Sequence, residues 1–204
     1  NYKWQLMSNN ILPKDKNTLI NFIKKSNKFT NGPKVIEFEK KWSKWLGVKY
    51  STFVNSGASA NLISINILKE LNSYKKEIIL PAFTWSSDVV AVINAGLKPV
   101  FVDINFQNLA QDEKIVKKKI NKKTLAIFIT HAMGFAGFTK KFTQFIKKKK
   151  IFLVEDVCES HGAKLNDRKI GTFGAISNFS FYYGHHMTTV EGGMISTNSK
   201  QIDR

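Results

Sequence analysis

IFLVEDVCESHGAKLNDRKIGTFGAISNFSFYYGHHMTTVEGGMIST, residues 151–197, decides the fold. Ile151 to Val154 is an apolar run of strand length that ends in two carboxylates, Glu155 and Asp156. A glycine-rich turn follows. A second apolar strand, roughly Ser177 to Tyr183, delivers His185 and His186 into the run TTVEGGM. Acid at the end of one strand and imidazole at the end of another is how an open α/β sheet builds a site. On extended backbone His185 and His186 face opposite ways, so they make a poor metal pair and His186 takes a supporting role. Glu155, Asp156, Glu159 and His161 look like a ligand cluster, but no second group arrives at ligand spacing and no metal is expected.

Upstream, strands and helices alternate. Lys14 to Asn27 reads as a helix with Leu19, Phe22 and Ile23 on one face. Pro33 suits the first position of the next helix, which places Val35, Phe38, Trp42 and Trp45 on one side for packing and stops at Gly47. A strand, Ser51 to Val54, runs into Asn55-Ser56-Gly57-Ala58-Ser59-Ala60-Asn61 and a helix carrying Leu62, Ile63, Leu68 and Leu71. Small residues at a strand-to-helix turn let backbone N–H groups approach an anion. The spacing matches neither the dinucleotide nor the Walker pattern, and by itself it suits a plain tight turn equally well. Ile78 to Leu80 is a strand leading to Pro81-Ala82-Phe83-Thr84-Trp85, where Trp85 by itself reads as a core residue. A helix from about Ser87 to Ala95, a strand Pro99 to Asp103, a helix Asp112 to Asn121 and an apolar strand Leu125 to Thr130 complete the series. His131, at the end of that last strand, reads as structural. Each strand is apolar throughout, which indicates a largely parallel sheet covered on both faces.

The chain has 204 residues, 43% hydrophobic and 12% aromatic, a globular composition. No apolar run approaches the ~20 residues of a membrane span, and residues 1–10 lack a signal core, so a cytoplasmic protein without membrane partners is expected. Cys158 is the only cysteine, which rules out an intrachain disulfide. The net charge of +17 comes mostly from lysine. The run Lys147 to Lys150 follows Phe142, Phe145 and Ile146 at helical spacing and reads as a helix C-terminus, where cations are favoured. No zinc-finger, RNA-recognition or helix-turn-helix pattern accompanies the charge, so no nucleic-acid partner is expected.

The order ED, Glu159, HGA, GTFG, FSFYY and EGGM, together with PVFVDI at residues 99–104, resembles the DegT/StrS family of nucleotide-sugar aminotransferases, which are pyridoxal 5'-phosphate (PLP) enzymes of fold type I. The resemblance runs from about Phe29 to Asn198 and implies a three-layer α/β fold: a mostly parallel mixed sheet with helices on both faces. Family members are nearly twice as long. The chain is therefore expected to be a partial PLP-binding large domain over 1–204, with an N-terminal helical segment over about 1–50 and without the C-terminal small domain. In most members a lysine five residues after the serine of FSF holds PLP as a Schiff base; counting from Ser180 gives His185. A histidine there resembles the sugar 3-dehydratase branch, typified by action on GDP-4-keto-6-deoxy-D-mannose.

The resemblance assigns roles residue by residue. Gly57 and Ala58 would bind the PLP phosphate through backbone amides, and Ser180 would add a hydroxyl. Trp85 would stack on the pyridine ring, Asp156 would pair with its nitrogen, and Glu159 would lie near the ring hydroxyl. His185 has no primary amine, so PLP would be held without a covalent bond and the imidazole would serve as the catalytic base. The implied reaction uses pyridoxamine 5'-phosphate and expels the C3 hydroxyl of a nucleotide-linked 4-keto-6-deoxy sugar. Glutamate would be the amino donor and a homodimer the assembly, in deoxysugar and O-antigen synthesis. Alternatives are a sugar aminotransferase, a dehydrase for CDP-linked sugars with an iron–sulfur cluster, which Cys158 alone counts against and which would need further cysteines in the missing C-terminal part, and a non-catalytic protein that binds PLP or a sugar nucleotide.

Overall fold

The computed structural model describes residues 11–204; the first ten, part of the expected N-terminal helical segment, lie outside the described residues. Helix α1 (Pro13–Lys25) buries none of its residues, so the apolar face of Leu19, Phe22 and Ile23 finds no core among the described residues. Helix α2 (Pro33–Leu46) begins with proline, whose missing N–H is no loss in a first turn. It stops at Gly47, whose φ of 92° a side chain would strain. Then come β1 (Tyr50–Val54), α3 (Gly57–Leu71), β2 (Glu77–Pro81), α4 (Ser86–Asn94), β3 (Lys98–Val102) and α5 (Glu113–Lys119). Asp112 caps α5, its carboxylate accepting the N–H groups of Lys114 and Ile115 at 2.7 and 3.1 Å. Strand β4 (Thr124–Thr130), helix α6 (Lys140–Lys149) and β5 (Phe152–Asp156) follow. A short hairpin of β6 (Lys164–Leu165) and β7 (Arg168–Lys169) leads to β8 (Ile176–Ser180), β9 (Gly193–Thr197) and α7 (Lys200–Asp203).

Seven strands form one sheet in the order β1-β9-β8-β5-β4-β2-β3. Strands β3, β2, β4, β5 and β8 run parallel, and β9 pairs antiparallel with both β8 and β1. The expected mostly parallel, three-layer α/β fold is the one observed. Alternation along the strands feeds two cores. Ile127 and Ile129 of β4 face one side with Trp42, Leu46, Val116, Phe142 and Phe179, under α2, α5 and α6. Ala126 and Phe128 face the other with Ile65, Leu68, Ala91 and Val92, under α3 and α4. The helix after β2 and the helix after β4 thus cover opposite faces, so a topological switch point lies between these neighbouring strands. No described helix is long and apolar enough to cross a membrane.

Some boundaries differ from expectation. The strand expected over Ser177 to Tyr183 ends at Ser180, because β9, its only partner on that side, begins at Gly193 opposite Ser180. The β6–β7 hairpin has too few residues per strand to leave an alternating pattern, and its Asn166 and Asp167 both adopt positive φ. Trp42 packs edge-on against Phe179 and Phe181 with ring centroids 4.8 and 4.9 Å away, and its indole N–H donates to Ser196 Oγ at 3.2 Å. Trp42→Ala is expected to cost about 3–5 kcal/mol of unfolding free energy by denaturant titration, since it opens a cavity and leaves the Ser196 hydroxyl with only its Ser51 partner at 2.9 Å.

Candidate active site

The parallel strands bring their C-terminal ends to one edge of the sheet. Thr130 of β4, Asp156 of β5 and Asn178 of β8 are successive register partners there. The N-terminus of α3 closes over this edge. Ser56 caps the helix, its hydroxyl accepting the Ser59 N–H at 3.1 Å, while the Ala60 N–H goes to Ser56 O. The remaining N–H groups of that first turn, those of Gly57 and Ala58, are the ones an anion would take. A Cβ on Gly57 would stand 2.7 Å from Ser180 Cβ, so glycine is what brings this helix end against β8. A Cβ on Gly193 would collide with the backbone carbonyl of Ser56. The turn and the EGGM strand therefore fit only through missing side chains. Ser180 is buried, and its hydroxyl accepts the Tyr182 N–H at 3.2 Å.

Asp156 is buried at the centre of the edge. One carboxylate oxygen accepts the Asn61 amide at 3.0 Å and the other accepts the Cys158 N–H at 2.9 Å. Glu159, half-buried, accepts the Met133 N–H at 3.2 Å. Glu155 does not join them. Alternation turns it to the other face, where it is wholly buried and accepts N–H groups from Gly171, Phe173 and Gly174 at 2.7, 2.8 and 2.6 Å. His131 is buried beside it: Nδ1 accepts the Gly137 N–H at 2.9 Å, and Nε2 lies 3.3 Å from Glu155 without the direction of a hydrogen bond. His131 is thus structural, as expected. Trp85 is 67% exposed as the N-cap of α4, so the core role its sequence suggests is wrong and its face is free for a ligand.

The histidines depart from expectation. Residues 181–192 form an irregular loop rather than an extended strand, with a turn closed by the His185 N–H on Tyr182 O at 3.0 Å. His185 and His186 therefore do not point apart. Their rings lie 6.2 and 5.8 Å from the ring of His161. No group of three or more described metal-ligating side chains comes together, however. Burial lowers the His185 pKa, Asp156 and Glu159 pull it up, and His186 pushes it further down. The loop thereby sets an imidazole kept neutral into the field of the two site carboxylates. His161 falls from 6.5 to about 4, first through burial and then through His185 and His186. Neither of its ring nitrogens has a hydrogen-bond partner among the described residues.

The model of the DegT/DnrJ/EryC1/StrS aminotransferase family matches residues 10–204. The chain belongs to that family. It is 37% identical over 181 residues to the GDP-4-keto-6-deoxy-D-mannose 3-dehydratase of Yersinia pseudotuberculosis, covering 87% of this chain and 46% of the relative. The E. coli GDP-4-keto-6-deoxy-D-mannose-3-dehydratase with bound hydrated PLP superposes with a TM-score of 0.92 at 33% identity, over 98% of this chain and 52% of that one. A GDP-4-keto-6-deoxymannose-3-dehydratase with a trapped PLP-glutamate geminal diamine gives 0.92 and 33%, over 98% and 53%. The chain spans about half the length of these relatives.

Three polar residues of the site carried no role in the sequence reading: Asn61, Asp88 and His161. Asn61 and Ser64 precede Ile65 and Leu68 on one buried helix face. That pattern, polar groups continuing an apolar stripe toward the sheet edge, is the signal that was available. For His161, the unfolded chain takes a proton near 6.5 and the folded one only near 4. Stability is therefore unaffected above that window and is lost as pH falls through it. His161→Phe removes the group. Relative to this variant, the wild type is expected to lose about 2–3 kcal/mol between neutral pH and the bottom of the window in paired denaturation curves.

Proposed function

We propose that the protein of which this chain is part is a PLP/pyridoxamine-phosphate-dependent 3-dehydratase acting on a nucleotide-linked 4-keto-6-deoxy sugar. The observation that carries this is an imidazole, His185, where an amine is expected, set within the field of Asp156 and Glu159. The described residues fit the cofactor. Gly57 and Ala58 offer two helix-terminal amides beside the Ser180 hydroxyl, a donor set for a phosphate. Asp156 offers a buried carboxylate for a protonated ring nitrogen, with Glu159 beside it. The exposed indole of Trp85 offers a stacking face. Bound there, the cofactor would supply an electron sink and, as pyridoxamine phosphate, an amine for the C4 ketone of the sugar.

The chain's own residues account for the choice of reaction. Without a lysine at position 185 there is no amine to hold the cofactor or to release an amino-sugar product. A half-buried, neutral His185 can take a proton through a ring nitrogen at the pH where the enzyme works. The overall change is loss of the sugar's C3 hydroxyl, with glutamate as amino donor; the names of the relatives support the sugar class, and the geminal diamine supports the donor. The chain is read as the PLP-binding large domain of a cytoplasmic enzyme of deoxysugar synthesis. Exposed Phe83, Met133 and Phe135 around the site support a homodimer.

Three measurements test this. Full-length wild type with PLP, glutamate and the keto sugar is expected to form the 3-deoxy sugar; formation of the 4-amino sugar alone would sink the proposal. Borohydride is expected to trap PLP on His185→Lys and not on wild type, read by mass spectrometry; trapping on wild type would point to another lysine. Because burial lowers the His185 pKa and the neutral ring is the base, kcat/KM is expected to fall on the acid side only below the ordinary histidine value of ~6.5.

A further inference from the structure

Asp88 lies in the first turn of α4, wholly buried, with no cation paired to it among the described residues. It stands behind Asp156, and one amide joins them: Asn61 Nδ2 donates to Asp88 Oδ1 at 2.8 Å and to Asp156 Oδ2 at 3.0 Å. The other oxygen of Asp88 forms a triangle with two hydroxyls. Thr84 Oγ1 is 2.5 Å away, Thr130 Oγ1 is 2.9 Å away, and the two hydroxyls are 2.6 Å apart. Three oxygen–oxygen contacts of this length need three protons. The threonines bring two.

We propose that Asp88 supplies the third: it is a neutral carboxylic acid, a positioning residue that leaves the single negative charge of the pair on Asp156. The donors around the two acids divide them in this sense. Asp156 receives the Asn61 amide and the Cys158 backbone N–H, and neither donor can reverse its role. Asp88 faces hydroxyls, which can accept as well as give. Burial, then the charge of Asp156, raises the Asp88 pKa well above its ordinary value, against the hydroxyls of Thr84 and Thr130. The dipole of α4 favours an anion in its first turn by a few-fold at most, whereas burying a second like charge is penalised by orders of magnitude. The groups facing Asp88 are Asp156 from β5, the Cys158 thiol after it, Asn61 from α3, and the hydroxyls of Thr130, Thr84 and the adjacent Ser87. Burial and the neighbouring carboxylates push the thiol up, so it adds no charge. On the cofactor reading above, and resting on it, the buried edge then presents one negative charge, the number that one protonated ring nitrogen neutralises.

Asp88→Asn tests this in the full chain, as purified and after adding PLP. An asparagine copies the protonated acid: its oxygen accepts from Asn61 and its amide gives two N–H groups to the threonines. Two readouts are independent of activity. The infrared spectrum at neutral pH is expected to show the C=O band of a protonated carboxyl in wild type and to lose it in the variant. Above the usual aspartate pKa of ~3.9, the folded wild type keeps a proton that the unfolded chain has released, so its stability falls with rising pH. The ratio of wild-type to variant folding constants is therefore expected to fall about tenfold per pH unit until Asp88 ionises. A flat or rising ratio, or a wild-type spectrum without the band, overturns the proposal. Should the variant fail to fold, wild type grown with carboxyl-labelled aspartate decides it: the band must shift, and an unshifted band overturns the assignment. PLP binding is followed separately by absorbance. If it fails while band and slope persist, the cofactor reading falls and the neutral Asp88 stands.

Discussion

One buried amide side chain, that of Asn61, ties the site to the fold. Its nitrogen reaches Asp88 of α4 and Asp156 of β5, and its oxygen accepts the Asn178 amide of β8 at 2.9 Å. Asn178 in turn accepts the Ser64 hydroxyl at 2.7 Å. Two helices and two strands thus meet at hydrogen bonds shielded from water. An unmade hydrogen bond in such a place costs roughly 1–3 kcal/mol, so the four elements hold one mutual geometry. The direction of Asp156 follows from it, and with it the distance between the acid and the first turn of α3.

Much of this was legible in the residues. The run from Leu125 to Thr130 could bury every side chain only as an inner strand, and it does. The position of His185 follows by counting from Ser180, and the loop between β8 and β9 carries it to the carboxylates. Alternation along β5 separates Glu155 from Asp156, which the residues alone present as one acidic strand end. Glu155 gathers the backbone of residues 171–174 on the opposite face, which shapes the path of the chain into β8.

Other features were not legible, for physical reasons. Asp88 sits between a serine and a valine at a helix start, where an acid usually reads as a solvated favour to the dipole. Only the approach of Asn61 from α3, Thr130 from β4 and Asp156 from β5 makes it a buried group. The turn that brings His185 and His186 to the same neighbour depends on β8 losing its ladder partner after Ser180, a consequence of where β9 begins. Trp85 was ambiguous because an indole serves equally in a core and at an open face. Its exposure is decided by the end of β2, four residues earlier.

The pairing of β1 with β9 has a consequence in time. Tyr50 to Val54 lie against Gly193 to Thr197, more than a hundred residues later, and the Ser56–Gly57 turn has Gly193 as its wall. Closing a loop of that length costs on the order of 4 kcal/mol before any contact repays it. On a ribosome, the first half of the candidate binding turn is made early and waits for the last strand of the sheet to emerge. Binding competence therefore arrives late, as an act of long-range closure, however early its residues are synthesised.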